Sequence, residues 1–532
     1  MHGTCDAVVI GAGHNGLTCA AYLAKAGLSV LVLDAYDRVG GQCTSEELTL
    51  PGYQSDVHAI GYQFANLSPT PDELKLAEHG FELIRSNPNI VHVFPDGTSN
   101  GLFATIDETC ESIGKFSNRD AQTWRTLFEG YLAQKEAITA SVNYPPISFS
   151  DQTAGLSSPR GGFDLFRFQL QSVRAWADEV FEAPQTKLLV GTWAAHVGVA
   201  PDDGGGASLA SLFNTVIQDG GNNLVKGGMH NLPRALVAVI QAHGGKVRTG
   251  TKVEKICVVN SKAVAVRLRD GEEIEVGTLV ASSADPRHLA LDLLGEDVIG
   301  GDVAANIRRY EYGLAAMSVF LALDRPCHYT AGEMPARSPA VHCTPANFEY
   351  LGQVFLEVRS GLLPSEPFCA LWNEGSIDPS RIPPGKGLLK LFIAPVPYKI
   401  KGDAVGTISA TTWDEAKEPF VNRLIARLER DFVPDLRQRI VAEAIQTPVD
   451  FERLLPSCYQ GTVMHGSMVA YQMGAMRPIP ELSGYRAPVS NVYLCGAGSH
   501  PGAGISMLPG RNAAQVIFRD LGIDFARTLA AY

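Results

Sequence analysis

Near the start of the chain, Ala7-Val8-Val9-Ile10 form an uninterrupted apolar run. A short run of this kind, followed at once by glycines, suits a strand buried on both faces of a parallel sheet. Leu17, Ala20, Ala21 and Ala24 then recur at helical spacing and give a stripe of small residues that can lie flat on a sheet. Gly27 is placed to cap that helix in the left-handed conformation, and Val30–Leu33 repeats the buried-strand pattern. Strand, helix and strand in this order predict a βαβ unit with a right-handed crossover.

From about 70 to 220 the periodicity is mainly helical, with loops at 143–150 and 201–207. An αβ pattern returns at 227–285. Leu232, Leu236 and Ile240 mark a helix that Gly244-Gly245 ends, and strands are predicted at 246–249 and 253–258. Residues 263–268 and 273–276, joined by a turn at Asp270-Gly271, read as a hairpin. Between 300 and 488, strands at 315–323 and 388–393 accompany an amphipathic helix around 418–428. The chain closes with NVYLCGAGSHPGAGISMLPGRNAA, again strand, glycine-rich turn and helix. The expected division gives residues 1–70, 222–300 and 489–532 to a nucleotide-binding domain. Residues 71–221 (mainly helical) and 301–488 (mixed sheet and helices) then form an inserted substrate domain.

Composition narrows the function classes. At 532 residues the chain exceeds one ordinary core, and its 19% charged content is below the usual quarter, so extensive burial is expected. A net charge of -12 argues against nucleic acid, which is held mainly by Lys and Arg. No apolar stretch reaches bilayer-spanning length, which leaves peripheral membrane contact through a surface patch. The ten cysteines form no CxxC pair, so neither a metal site nor a redox dithiol is indicated. A first strand beginning near Asp6 leaves no room for a leader, and the expected location is the cytoplasm.

Gly11-Ala12-Gly13-His14-Asn15-Gly16 is a GxGxxG. Gly11 permits the turn out of the strand, Gly13 admits a pyrophosphate against the backbone, and Gly16 lets helix and sheet pack closely. The helix start offers free N–H groups to the phosphates. Asp34, at the end of the second strand, stands where a carboxylate accepts ribose hydroxyls. This fingerprint alone does not separate NAD from FAD. Gly40-Gly41 and the returning glycines of the C-terminus move the expectation to FAD. A helix starting near Pro509 can aim its positive end at a flavin pyrimidine ring.

GAGHNGL, RVGG, GGMHNLPRAL, Ser283-Ala284-Asp285-Pro286 and CGAGSHPGAGISMLPGRNAA together resemble the phytoene desaturase-like FAD-dependent oxidoreductases. Within them, the branch named for pyridine nucleotide-disulfide oxidoreductase domain-containing protein 2 is most similar. The resemblance implies an α/β fold: a discontinuous Rossmann-like FAD-binding domain of the glutathione reductase/amine oxidase type with an inserted α+β substrate domain. It implies FAD contacts from Gly11, Gly13, Gly16, Asp34, Arg38, Gly40, Gly41 and Val253, and from Gly496, Gly504, Ile505 and Met507 near the flavin ring. Gln42 stands where many of the wider amine oxidase group carry arginine. Ala497 replaces a frequent acidic residue, for which Ser499 or a backbone group would substitute.

The expected activity is hydride removal from a hydrophobic or aromatic small molecule onto flavin N5, as a dehydrogenase, desaturase or oxidase, with oxygen or a quinone as acceptor. Where the oxidised bond adjoins an O–H or N–H, a histidine can serve as base. His58, His465 and His500 are the candidates, and His58 and His500 are chosen for their nearness to the glycine-rich turns. Trp372, Phe392, Tyr459 and Tyr471 can line an apolar pocket. A flavin amine oxidase is the rival enzyme reading. A binding protein of the GDP dissociation inhibitor type is the non-enzymatic one, and the intact glycines with Asp34 speak against it.

Overall fold

The computed structural model describes residues 5–156 and 162–530. Its first sheet collects strands far apart in sequence. Parallel strands lie in the order Lys246–Arg248, Val30–Leu33, Cys5–Ile10, Glu273–Ser282 and Val492–Leu494. Val8 sits between Leu31 and Val280, and Val280 in turn pairs with Val492. Helix His14–Lys25 covers one face together with Asn231–Ala242 and Leu508–Leu521, burying Leu17, Ala20 and Ala21 completely. On the other face Val8 and Ile10 pack with Ile256 and Val266 of an antiparallel meander.

The expected hairpin is present, but its second strand runs six residues beyond 276, to Ser282. Its first part pairs antiparallel with Lys262–Leu268 and alternates buried and exposed positions; its last part is the fully buried centre of the parallel sheet. A strand that changes partners midway carries two periodicities, so only its alternating part stands out in the sequence.

A second sheet runs Ile440–Gln446, Ala315–Leu323, Gly387–Val396, Cys369–Trp372, Ala340–Cys343, Ile90–Val93, Ser99–Leu102. Two of its strands come from the stretch expected to be mainly helical; at four residues each they are too short to show a period. Helix Trp413–Asp431 covers one face through Trp413, Phe420 and Leu424. Helices Asn118–Asn143, Pro184–His196 and Gly206–Gly220 cover the other, with Trp124, Trp193 and Phe213 in the core. Burial on both faces explains why Ala315–Leu323 and Gly387–Val396 read as nearly continuous apolar runs, broken only by Ser318 and Lys390.

A buried ion cluster ties the loop at 55–58 to the second sheet. Arg381 contacts Asp56 at 2.9 Å, Asp378 at 3.2 Å and Glu374 at 3.5 Å. Asp56 also accepts from the Met229 N–H, and Asp378 from the Gly227 N–H. From the second sheet, Lys390 Nζ donates to the carbonyls of Asp56, Val57 and His58 at 2.8–3.1 Å. Burial, reinforced by Asp56, pushes the Glu374 carboxyl up to about 8. Asp56→Ala strips a carboxylate from Arg381 and should cost about 3–5 kcal/mol in urea unfolding. Asp107→Ala, at an exposed pair with Arg125, should leave the midpoint unchanged.

Candidate active site

The turn after the first strand is shaped by backbone contact. A Cβ on Gly16 would lie 2.1 Å from the Gly11 carbonyl oxygen, and one on Gly11 (φ +96°) 2.4 Å from Ser283 Oγ. Gly13 differs, since a Cβ there would meet nothing within 4 Å. It precedes helix His14–Lys25, which has no side-chain cap and no acidic residue in its first turn. The N–H groups of that turn therefore face open space with a positive dipole end, the arrangement that receives phosphate. Gly40 N donates to the Ala12 carbonyl at 2.8 Å and pairs with Gly13, which brings Gly41 to within 3.3 Å of the Gly13 Cα as measured from an ideal Cβ.

Asp34 closes the far end. Its carboxylate accepts the Ala12 N–H at 2.6 Å and the Tyr36 N–H at 2.8 Å. Burial raises its pKa above the ordinary carboxylate value, and the two N–H groups oppose that shift. Each carboxylate oxygen keeps a lone pair for a further hydroxyl. Gly11, Gly13, Asp34, Arg38, Gly41 and Val253 all line one cleft of about 550 Å³. Gly16 and Gly40 lie behind that wall as packing glycines, and Gly496 packs against the Ser283 carbonyl, 2.5 Å from an ideal Cβ. Arg38 is held by Glu46 at 2.8 Å, and Gln42 donates to Cys458 Sγ at 3.0 Å.

The cleft adjoins a smaller chamber of about 110 Å³, where Gly504 and Ile505 face Phe64, Phe213, Trp372 and Phe392. His14, Gln42, His58, His465 and Ala497 border both cavities, so the two meet at these residues. Met507 lies elsewhere: fully buried at φ +63°, it packs into the core of the first sheet just before helix Leu508–Leu521. His500 is also set apart. Its Nε2 lies 3.0 Å from the Ser141 carbonyl, and it borders neither cavity. Closeness in sequence to the glycine-rich turn thus does not bring the His500 ring to the cleft.

His58 is held at the junction by Lys390 on its carbonyl and by an edge-on contact with Phe451, 4.8 Å between centroids. His465, in the left-handed region at φ 50°, is fixed through its carbonyl by Tyr310 Oη at 2.7 Å. Fully buried Arg477 gathers the carbonyls of Met464, Ser467 and Ala497 behind it. His14 and His196 complete the histidines around the chamber. Burial holds His14, His58 and His196 down to about 3 and His465 to about 4, so all four are neutral at pH 7. His14 could have been found inside the glycine motif itself. His196 carries no local signal, because it reaches the chamber only when helix Pro184–His196 packs on the second sheet.

An uncapped helix start, a carboxylate at the end of the second strand and an adjoining chamber lined by aromatic rings are the features of an FAD-dependent oxidoreductase, and the family comparison shows that class. The chain belongs to the flavin containing amine oxidoreductase family, whose model matches residues 16–518. It is 29% identical to pyridine nucleotide-disulfide oxidoreductase domain-containing protein 2 of Mus musculus, over 97% of this chain and 94% of the relative. It is 26% identical to the lycopene-forming phytoene desaturase of a Paracoccus species, over 97% of each chain. An oxidoreductase from Methanosarcina mazei shares the fold with a TM-score of 0.61 at 17% identity, covering 96% of this chain and 99% of its own. The architecture is therefore the discontinuous Rossmann-like FAD-binding fold with an inserted substrate domain. No helix among the described residues is long and apolar enough to cross a membrane.

The buried histidines make stability depend on pH. His14, His58, His92 and His196 titrate near 3 in the fold, His465 and His500 near 4, against an ordinary value of 6.5. Below 6.5 the unfolded chain binds protons that the folded chain does not, so stability is complete above 6.5 and falls as pH drops toward 4. Glu374, raised to about 8, and the raised carboxyls of Asp34 and Asp285 work in the opposite direction but are outnumbered. The urea midpoint should be clearly lower at pH 5.5 than at pH 7.5; equal midpoints would contradict neutral burial of these rings.

Proposed function

We propose that the cleft at Gly11, Gly13, Gly16 and Asp34 holds the ADP half of FAD, and that the aromatic chamber takes the reacting carbon of a hydrophobic or aromatic small molecule. The observation that carries this reading is the meeting of the two cavities at His14, Gln42, His58, His465 and Ala497. The residues fit the cofactor: Gly13 leaves the space a pyrophosphate needs, and the uncapped helix start supplies N–H donors with no acid nearby. Bound there, FAD supplies a two-electron oxidant for a substrate C–H bond.

The chain's own residues do the rest. Asp34 accepts ribose hydroxyls, and Arg38, Gly40, Gly41 and Val253 shape the pyrophosphate and adenine side. Gly496, Gly504 and Ile505 border the ring side, while Met507 sets the start of helix Leu508–Leu521 behind them. In this division, segments 1–70, 222–300 and 489–532 form the cofactor half, with 71–221 and 301–488 the substrate half. His58, neutral at pH 7 and facing both cavities, accepts the proton of a substrate O–H or N–H. The apolar walls exclude water. Oxygen or a quinone takes the electrons away, and ten unpaired cysteines support a reducing, cytoplasmic setting.

Gly13→Asp places bulk and negative charge where the pyrophosphate would lie. The purified variant should be folded but colourless, and full flavin absorbance would contradict the placement. His58→Ala should keep its flavin. Its anaerobic bleaching by aromatic alcohols should slow by about 10²–10⁴-fold; an unchanged rate would remove His58 from the chemistry.

A further inference from the structure

The chamber's electrostatics narrow the substrate further, on the reading just given. Among the described residues lining it there is no Asp, Glu, Lys or Arg; its polar groups are His14, His58, His196, His465, Gln42, Gln63 and the Trp372 indole. Much of that polarity is unspent. Nδ1 of His58, Nδ1 of His196 and Nε1 of Trp372 are buried without a hydrogen-bond partner. Buried polar groups are normally satisfied, so unspent ones around a cavity point to a ligand or water that completes them.

The charges behind the walls are mostly cations. Lys390 and Arg477 have no exposed surface, and backbone carbonyls coordinate both. The Lys390 ammonium acts on both His58 and His196, and the Arg477 guanidinium on His465, in each case disfavouring added positive charge. Asp56 and Glu374 do not line the chamber, and both pair with Arg381. An ammonium entering the chamber would lose its water and find no carboxylate, with two cations behind the wall. A carboxylate would find the same cations screened by backbone, with only uncharged donors: the indole N–H, the Gln42 and Gln63 amides and the N–H groups of neutral imidazoles. A hydroxyl or carbonyl can be satisfied by an imidazole nitrogen and the indole N–H.

We propose that this chamber selects an uncharged, oxygen-bearing head group, an alcohol or carbonyl on an apolar or aromatic frame, and rejects ammonium, with Trp372 and His196 reading that group. Met468 borders both the chamber and an outer cavity of about 1200 Å³, so the frame can extend outward past it.

Matched ligands without an oxidisable C–H beside the head group test this by binding alone. They are α,α-dimethylbenzyl alcohol, α,α-dimethylbenzylammonium and 2-methyl-2-phenylpropanoate, titrated calorimetrically into the oxidised holoenzyme at pH 7.5. The alcohol should bind at least about tenfold more tightly than either ion. Trp372→Phe, which keeps the ring and removes the N–H, should weaken the alcohol several-fold and leave flavin absorbance unchanged. Equal or tighter binding of either ion overturns the proposal, as does no binding of the alcohol. Phe213→Trp, which fills the chamber, should abolish alcohol binding. If the alcohol outbinds the ions but ignores that change, the chamber is not where the head group is read and the proposal is overturned, while the flavin cleft is untouched.

Discussion

Close backbone packing at the carboxyl end of the first sheet is the constraint on which the rest of the molecule depends. Gly16 approaches the Gly11 carbonyl, Gly496 the Ser283 carbonyl, and Gly510 the Asn15 carbonyl, each at a distance a Cβ would occupy. Segments near residues 11, 283, 496 and 510 therefore meet main chain to main chain. That contact seats the last helix on the first, brings Ala497 to the cleft and Ala503–Ile505 to the chamber, and leaves Gly13 facing open space.

A second constraint fixes where the cleft ends. The strand and loop at 55–58 follow the glycine-rich N-terminal unit in sequence, yet Arg381 and, from the second sheet, Lys390 hold them. A buried ion cluster contributes little net stability compared with well-packed hydrophobic residues, but it tolerates few alternative arrangements. Here it sets the position of His58. The same cluster keeps its carboxylates away from the aromatic chamber, so the chamber is neutral within and mostly backed by cations. Fold and selectivity thus share one set of side chains.

Much of the first sheet and of the cleft at its end was legible in the sequence, because its determinants are local. A buried strand, GxGxxG and a carboxylate at the end of the next strand lie within 34 residues, and Gly11, Gly13 and Asp34 do line one cleft. The returning C-terminus was also readable, since Leu508–Leu521 starts where Pro509 suggested. What escaped depends on distant packing. Gly277 to Ser282 hides behind a change of partner, and Ile90–Val93 is too short to carry a period. His196 and Phe213 come from helices whose apolar faces look like ordinary core. His500 shows the converse: adjacency to a glycine-rich turn in sequence, but a ring turned to the Ser141 carbonyl in space.

The most direct test of the central claim, that both ends of the chain build one flavin cleft against a neutral aromatic chamber, is a crystal structure of the FAD-bound protein. The account predicts ribose hydroxyls on Asp34, pyrophosphate over Gly13 and the flavin ring at the junction of His58, His465 and Ala497. A flavin whose ring points away from that junction, or whose ribose does not reach Asp34, would contradict it.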